Sequence, residues 1–105
     1  MAVVLASDQT AIPTTAPVST GSSHTTGTVS TVITLTAPAN ATGFMLEADA
    51  ANTATMRWAI GATATTSLGM QLQAGRDTGY IPAGSNITLV SESGTQGYQV
   101  QWIAR

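Results

Sequence analysis

From residue 28 onward, apolar side chains recur at every second position along the chain. In the stretch "GFMLEADAANTATMRWAIG", Phe44, Leu46 and Ala48 alternate with Met45 and Glu47. A period of two is the spacing of side chains on one face of a β-strand, whereas a helix would require apolar residues every three or four positions. Because no segment has a convincing helical period or a capped helix start, the sequence predicts an all-β domain.

Two pairs of the predicted strands align as antiparallel hairpins. A loop at residues 50–52 would join the first pair, and Asn52 is a residue type that tolerates a left-handed backbone in such a loop. A loop at residues 93–96 would join the second pair. In both alignments the apolar residues share one face, as a sheet with one buried side requires. The facing pairs would be Phe44–Trp58, Leu46–Met56, Leu89–Val100 and Ile87–Trp102.

Six or seven short strands, separated by turns at intervals of about 8 to 12 residues, predict a small antiparallel β-sandwich or jelly-roll-like barrel over residues 28–105. A domain of this size without cysteine, and therefore without disulfides, is marginally stable by itself, so oligomerisation would help it. The expected core consists of Ile33, Leu35, Phe44, Leu46, Met56, Trp58, Ile60, Met70, Leu72, Ile87, Leu89, Val100 and Trp102.

Residues 1–27 are predicted to form an extended N-terminal arm in front of this domain. Between residues 7 and 27 about half of the residues are threonine or serine, two are proline and two are glycine, and the only larger apolar residues are Ile12 and Val18. So little apolar surface cannot offset the entropy lost on ordering the segment. We therefore expect the arm to become ordered only against a neighbouring molecule.

The charge composition excludes several classes of function. Charged residues make up 8% of the chain against about 25% in a typical soluble protein, lysine is absent, and the net charge is -2. Three arginines, Arg57, Arg76 and Arg105, do not form the basic patch that nucleic-acid binding requires. No apolar run is long enough to cross a bilayer, and the first residues lack the positive charge of a signal peptide. A surface with so little charge favours contact with other proteins.

Few side chains have the chemistry of a catalytic or metal site. Glu47 and Asp49 would share the outer face of a strand, and we interpret them as a solvated edge with Arg57 diagonally across the first hairpin from Glu47. His24 is the only histidine and lies in the predicted arm, without a second metal ligand nearby in sequence. One histidine and no cysteine cannot supply a nucleophile–base pair of the usual kinds, so we expect no enzymatic activity, cofactor or metal.

Two other groups of residues are candidates for contact with a partner. Tyr80 and Tyr98 are possible surface aromatics, whereas both tryptophans are expected to face the core. Arg76 and Asp77 lie with Tyr80 in the glycine-bounded stretch "AGRDTGYIPAG", which has the composition of a loop that contacts a neighbouring protein.

The segment "VVLASDQTAIPT" resembles one that recurs in virion proteins of tailed bacteriophages, near the form "ASDQ-x-x-IPV". Thr14 stands where valine is more usual. The stretches "NTATMRWAIG", "GMQLQAG", "IPAGSNITLVSESGT" and "VQWIAR" also resemble small phage structural domains. Together these segments cover about half of the chain.

The resemblance implies a structural component of the virion, and among such components a capsid decoration (cement) protein is favoured. The β-domain would lie on the outer capsid surface as a trimer, with the major capsid protein or another virion protein as its partner. The arm would bind neighbouring subunits through Val3, Val4, Leu5, Ile12 and Val18, with residues 3–7 adding as a strand. Arg76, Asp77 and Tyr80 would form a second contact.

Two alternatives remain open at this point. The chain could belong to the tail, collar or baseplate and dock there through its arm. It could instead be a carbohydrate- or receptor-binding module that holds its ligand with Tyr80, Tyr98 or the loop at residues 75–84.

Overall fold

A computed structural model describes residues 21–105, and every regular element in that range is a β-strand. The all-β prediction is therefore confirmed. Residues 1–20, which include the predicted arm contacts Val3, Val4, Leu5, Ile12 and Val18, lie outside the described residues. The strands are β1 (Ser23–Val29), β2 (Ile33–Leu35), β3 (Ala41–Ala48), β4 (Met56–Ala59), β5 (Met70–Leu72), β6 (Ile87–Ser91) and β7 (Gln96–Ala104).

The seven strands form two antiparallel sheets that face each other as a sandwich. Sheet A has the order β1-β7-β3, and sheet B has the order β2-β6-β4-β5. In sheet A, Val100 of β7 lies between Thr25 of β1 and Leu46 of β3. In sheet B, Leu89 of β6 lies between Ile33 of β2 and Trp58 of β4.

The core lies between the two sheets and is formed by the alternate residues of each strand. The central strand β7 alternates without exception between buried and half-buried residues. Phe44 is fully buried and joins the layers: its ring meets Trp58 of sheet B edge-on at a centroid distance of 5.8 Å. It also contacts its neighbour in sheet A, Trp102, at 5.5 Å. Such aromatic contacts contribute about 0.5–1.5 kcal/mol each beyond the area they bury.

Both predicted hairpins are wrong, although the inward-facing residues are those expected. β3 and β4 belong to different sheets, and so do β6 and β7. The chain therefore crosses from one sheet to the other at residues 49–55 and again at residues 92–95. Phe44 and Trp58 meet across the core and not side by side in one sheet. An alternating pattern specifies which residues face inward, but it does not say whether the next strand lies beside them or opposite them.

A side-chain amide joins the crossing segment at residues 49–55 to β7. The side chain of Asn52 accepts a hydrogen bond from the Gly97 N–H at 2.7 Å and donates one to the Gly97 carbonyl at 2.9 Å. Asn52 thus pairs with the backbone as a neighbouring strand would. Its own φ is not positive; within residues 21–105 the non-glycine residue with positive φ is Asn40. The expected left-handed role of Asn52 is therefore replaced by a side-chain role.

The predicted boundary between arm and domain also needs correction. Residues 23–27, assigned to the arm from sequence, belong to β1 and pair along their length with β7. The inward positions of β1 opposite the large side chains of β7 are small, and the ring of Tyr98 lies directly against Gly27. Because those small residues gave no apolar alternation, β1 was indistinguishable from the arm before it.

Two aromatic or apolar positions differ from the sequence-based expectation. Tyr98, expected as a possible surface aromatic, is buried in the core. Met70, expected in the core, is 63% exposed. It pairs with Trp58, but β5 is the three-residue edge strand of sheet B, so among the described strands Met70 has a neighbour on one side only.

Candidate functional site

The predicted contact loop at residues 75–84 runs along the edge of β3. Its backbone exchanges two hydrogen bonds between Ile81 and Phe44 at 2.8 and 2.9 Å, and the Thr78 N–H donates to the Leu46 carbonyl at 2.9 Å. A bridge between Asp77 and Glu47 continues this pairing. The loop therefore covers an edge of sheet A that would otherwise present unpaired backbone groups to solvent.

The side chains predicted for partner contact in this loop are exposed. Arg76 and Asp77 are exposed, and Tyr80 is 51% exposed. The Tyr80 ring rests against the backbone at Gly43, and its hydroxyl lies 3.4 Å from the Thr42 carbonyl. The structure thus places these three residues on the surface along one sheet edge.

A groove lies on the outer face of sheet A beside this loop. Its volume is about 130 Å³, and it spans all three strands of the sheet and the covering loop. The lining residues are His24, Met45, Glu47, Asp77, Gln99 and Gln101.

Two glutamines hold the histidine of the groove in place. His24 Nδ1 lies 3.0 Å from Gln101 Oε1, and His24 Nε2 lies 3.1 Å from Gln99 Oε1. The Gln101 Nε2 group donates to the carbonyls of Ser23 and Trp102, which fixes the orientation of this amide. Gln101 therefore requires a proton on His24 Nδ1. The histidine predicted to lie in a flexible arm is instead fixed within a sheet.

Two carboxylates form the other side of the groove. Glu47 and Asp77 are both exposed and are paired across the bridge between β3 and the loop. Arg57 does not lie diagonally across a hairpin from Glu47 as predicted: it belongs to sheet B, where its Nε donates to Glu92 Oε2 at 2.7 Å. This correction follows from the sheet assignment, since β3 and β4 are not hydrogen-bonded neighbours.

The remaining strand edges differ in how they are covered. β1 is an edge of sheet A, and no strand of residues 21–105 pairs with its other side. β2 and β5 are the edges of sheet B, and exposed apolar residues lie beside them: Val32 next to β2, and Leu68 and Met70 at β5. Exposed strand edges and apolar side chains are surfaces on which proteins associate.

Sequence reasoning missed the groove because its members come from strands that were paired differently. Gln99 and Gln101 alternate with buried residues of β7, so their outward direction was readable from the sequence. Their neighbours were not readable, because β1 was assigned to the arm and β7 to a hairpin with β6.

Within residues 21–105, no group of three or more His, Asp or Glu side chains is placed to hold a metal ion. The same part of the chain contains no helix that could cross a membrane. Comparisons with protein-family models, curated proteins and solved structures found no match.

Proposed function

We propose that this chain is a non-enzymatic structural protein of a phage virion, and specifically a capsid decoration (cement) protein. In this proposal the β-sandwich binds the outer capsid surface, and the N-terminal arm binds the neighbouring capsid subunits. The resemblance of residues 3–14 and of four later stretches to phage structural proteins supports the class.

The observation that carries the proposal is the position of β1. This strand begins at Ser23, inside the predicted arm, and forms one edge of sheet A. Among the described strands only β7 pairs with it, so its other side offers backbone N–H and C=O groups to an added strand. An arm that leaves the domain beside such an edge is well placed to link neighbouring molecules by strand addition.

The surface composition supports the same class of function. Only 8% of the residues are charged, and the exposed apolar side chains Val32, Leu68 and Met70 lie at the edges of sheet B. A surface of this kind gains free energy on association because it loses few charge–water interactions. Such a surface suits the subunit of a homo-oligomer. We propose a trimer that binds a partner such as the major capsid protein.

Repetition on a lattice would strengthen weak individual contacts. An arm and a domain that bind adjacent sites on one capsid act as two linked modules, so the second contact forms at a high effective concentration. Decoration by many copies therefore does not require a large interface for each copy.

Co-sedimentation with empty capsids of the phage that encodes the chain tests the proposal. The full chain should pellet with the capsids, and a variant lacking residues 1–20 should bind much more weakly while keeping its circular dichroism spectrum. The deletion ends before β1 because removal of residues 1–27 would also remove most of that strand.

A matched substitution distinguishes the arm from the loop at residues 75–84. Arg76→Ala removes an exposed side chain of the second predicted contact and leaves the fold intact. Weaker capsid binding by this variant would support contact through the loop as well. Failure of the full chain to pellet with capsids would contradict the decoration role.

A further inference from the structure

We propose that the groove on the outer face of sheet A binds one residue of a neutral carbohydrate. This site uses outward-facing side chains of sheet A and not the free backbone groups at the edge of β1, so it adds a ligand to the proposed virion role and does not depend on it. The argument rests on the arrangement of hydrogen-bonding groups, on charge and on size.

The groove presents polar groups that are held in place but not fully used. Gln99 makes its hydrogen bond to His24 through one end of its amide. Within residues 21–105 the other end has no protein partner, and the same holds for the carboxylate of Glu47. Asp77 accepts a bond from the Gly79 N–H through Oδ1, which leaves Oδ2 for a ligand. The free end of the Gln99 amide and the two carboxylates are therefore open to the hydroxyl groups of a ligand.

Sugar hydroxyls match this set of groups. Each hydroxyl both donates and accepts, so neighbouring hydroxyls of one ring can donate to Glu47 and Asp77 and can hydrogen-bond to the free end of the Gln99 amide in either direction. Met45, which is 41% exposed, provides an apolar surface beside them for the C–H groups of the ring. A binding site with a few oriented polar groups and an apolar contact is typical of small-molecule recognition.

The charge of the groove restricts the ligand further. Glu47 and Asp77 would repel a sulfated, phosphorylated or acidic sugar, since like charges at short range destabilise each other. Arg57 does not offset this charge, because it belongs to sheet B and is ion-paired with Glu92. A neutral sugar avoids that repulsion and replaces the water that the carboxylates otherwise bind.

The size of the groove limits the ligand to about one sugar unit. At about 130 Å³ it is smaller than the pockets of about 300–1,000 Å³ that enclose drug-sized ligands. Tyr80 lies against Gly43, the next outward position of β3 beyond Met45, so a second unit of a chain would extend toward its exposed ring.

Nuclear magnetic resonance titration of the full-length ¹⁵N-labelled chain tests the site. The probes are the methyl glycosides of glucose, galactose, mannose and N-acetylglucosamine, added at millimolar concentrations suited to a shallow site. We expect at least one glycoside to shift the side-chain amide signals of Gln99 and Gln101 and the backbone signal of Asp77. Gln99→Ala should weaken this binding about tenfold, the loss expected for one or two hydrogen bonds.

Gln71→Ala is the matched control because Gln71 is an exposed strand glutamine on sheet B. It should bind the glycoside as the parent chain does, and the melting temperature should show that Gln99→Ala remains folded. Absence of shifts with all four glycosides would overturn the proposal, as would equal binding by Gln99→Ala. The last probe is Nα-acetyl-lysine amide, which carries a free ε-ammonium group. Signal shifts with this compound but with none of the sugars would also overturn the proposal, in favour of a site for a cationic side chain.

Discussion

Gln96 shows how a single buried amide can connect two loops that are distant in sequence. The exposed fraction of this residue is 3%. Gln96 Oε1 accepts from the Thr53 N–H at 2.8 Å, and Nε2 donates to the Ser93 carbonyl at 2.9 Å. Thr53 and Ser93 belong to two of the four segments that cross between the sheets. The Gln96 side chain therefore hydrogen-bonds to backbone groups of both segments that have no partner in a sheet.

Replacing Gln96 by alanine should lower the free energy of unfolding by about 1–3 kcal/mol, because two hydrogen bonds of the buried amide are lost and each contributes about 0.5–1.5 kcal/mol. Urea denaturation followed by tryptophan fluorescence measures this change. Gln71→Ala, at an exposed strand position, should change the stability by less than about 0.5 kcal/mol. Equal effects of the two substitutions would contradict the role assigned to Gln96.

Two glycines offer a second comparison at this scale. A Cβ atom at Gly84 would collide with the backbone carbonyl of Ala41, whereas one at Gly43 would meet the side chain of Tyr80. The Ala41 backbone cannot move away without disturbing β3, whereas the half-exposed ring of Tyr80 can rotate outward.

Gly84→Ala should therefore cost about 1–3 kcal/mol of stability, the range for overpacked sites. Gly43→Ala should cost less, and it should change the environment of the Tyr80 ring. Thermal unfolding and the tyrosine ring signals in a nuclear magnetic resonance spectrum report on these two effects. A larger loss of stability in Gly43→Ala than in Gly84→Ala would show that this account of the contacts is wrong.

At the scale of elements, the sequence was sufficient to predict strands and inward-facing residues but not their partners. Phe44, Leu46, Leu89 and Val100 are buried as predicted, because alternation alone determines the face on which a side chain lies. Hairpins and sheet-crossing connections share that alternation. What separates them is the hydrogen bonding of loop side chains such as Asn52, which depends on the folded position of a distant strand.

The strand β1 was not predicted for a different reason. Its inward positions opposite Tyr98, Val100 and Trp102 are small or polar, because the large side chains of β7 fill the space between the sheets. His24 was therefore separated from Gln99 and Gln101, and the groove they form could not be assembled from the sequence alone. Arg76, Asp77 and Tyr80 were correctly expected at the surface because glycine and proline bound their loop.

Two truncations test the corrected domain boundary. Removal of residues 1–20 leaves β1 intact, so residues 21–105 should unfold cooperatively with nearly unchanged stability. Removal of residues 1–27 takes away five residues of β1 and uncovers the side of β7 that they pair with, so this variant should be strongly destabilised or unfolded. Circular dichroism and urea denaturation make the comparison. Equal stability of the two variants would mean that β1 adds nothing to the sandwich.

For the whole molecule, the edges of the two sheets matter more than the net charge of -2. The edge of β3 is covered by residues 75–84, while β1 and the apolar residues beside β2 and β5 face outward from the described domain. Within sheet B, β2 and β5 lie at opposite edges. A subunit with several such surfaces can contact an arm, a second copy and a support together, which is the arrangement that capsid decoration requires.

Cryo-electron microscopy of the intact virion tests this account most directly. We predict density for a small two-sheet β-domain at regular positions on the outer capsid surface, with an extended segment leaving it near Ser23 and running onto a neighbouring subunit. Density for the domain in the tail, collar or baseplate, or a virion without this chain, would contradict the central claim.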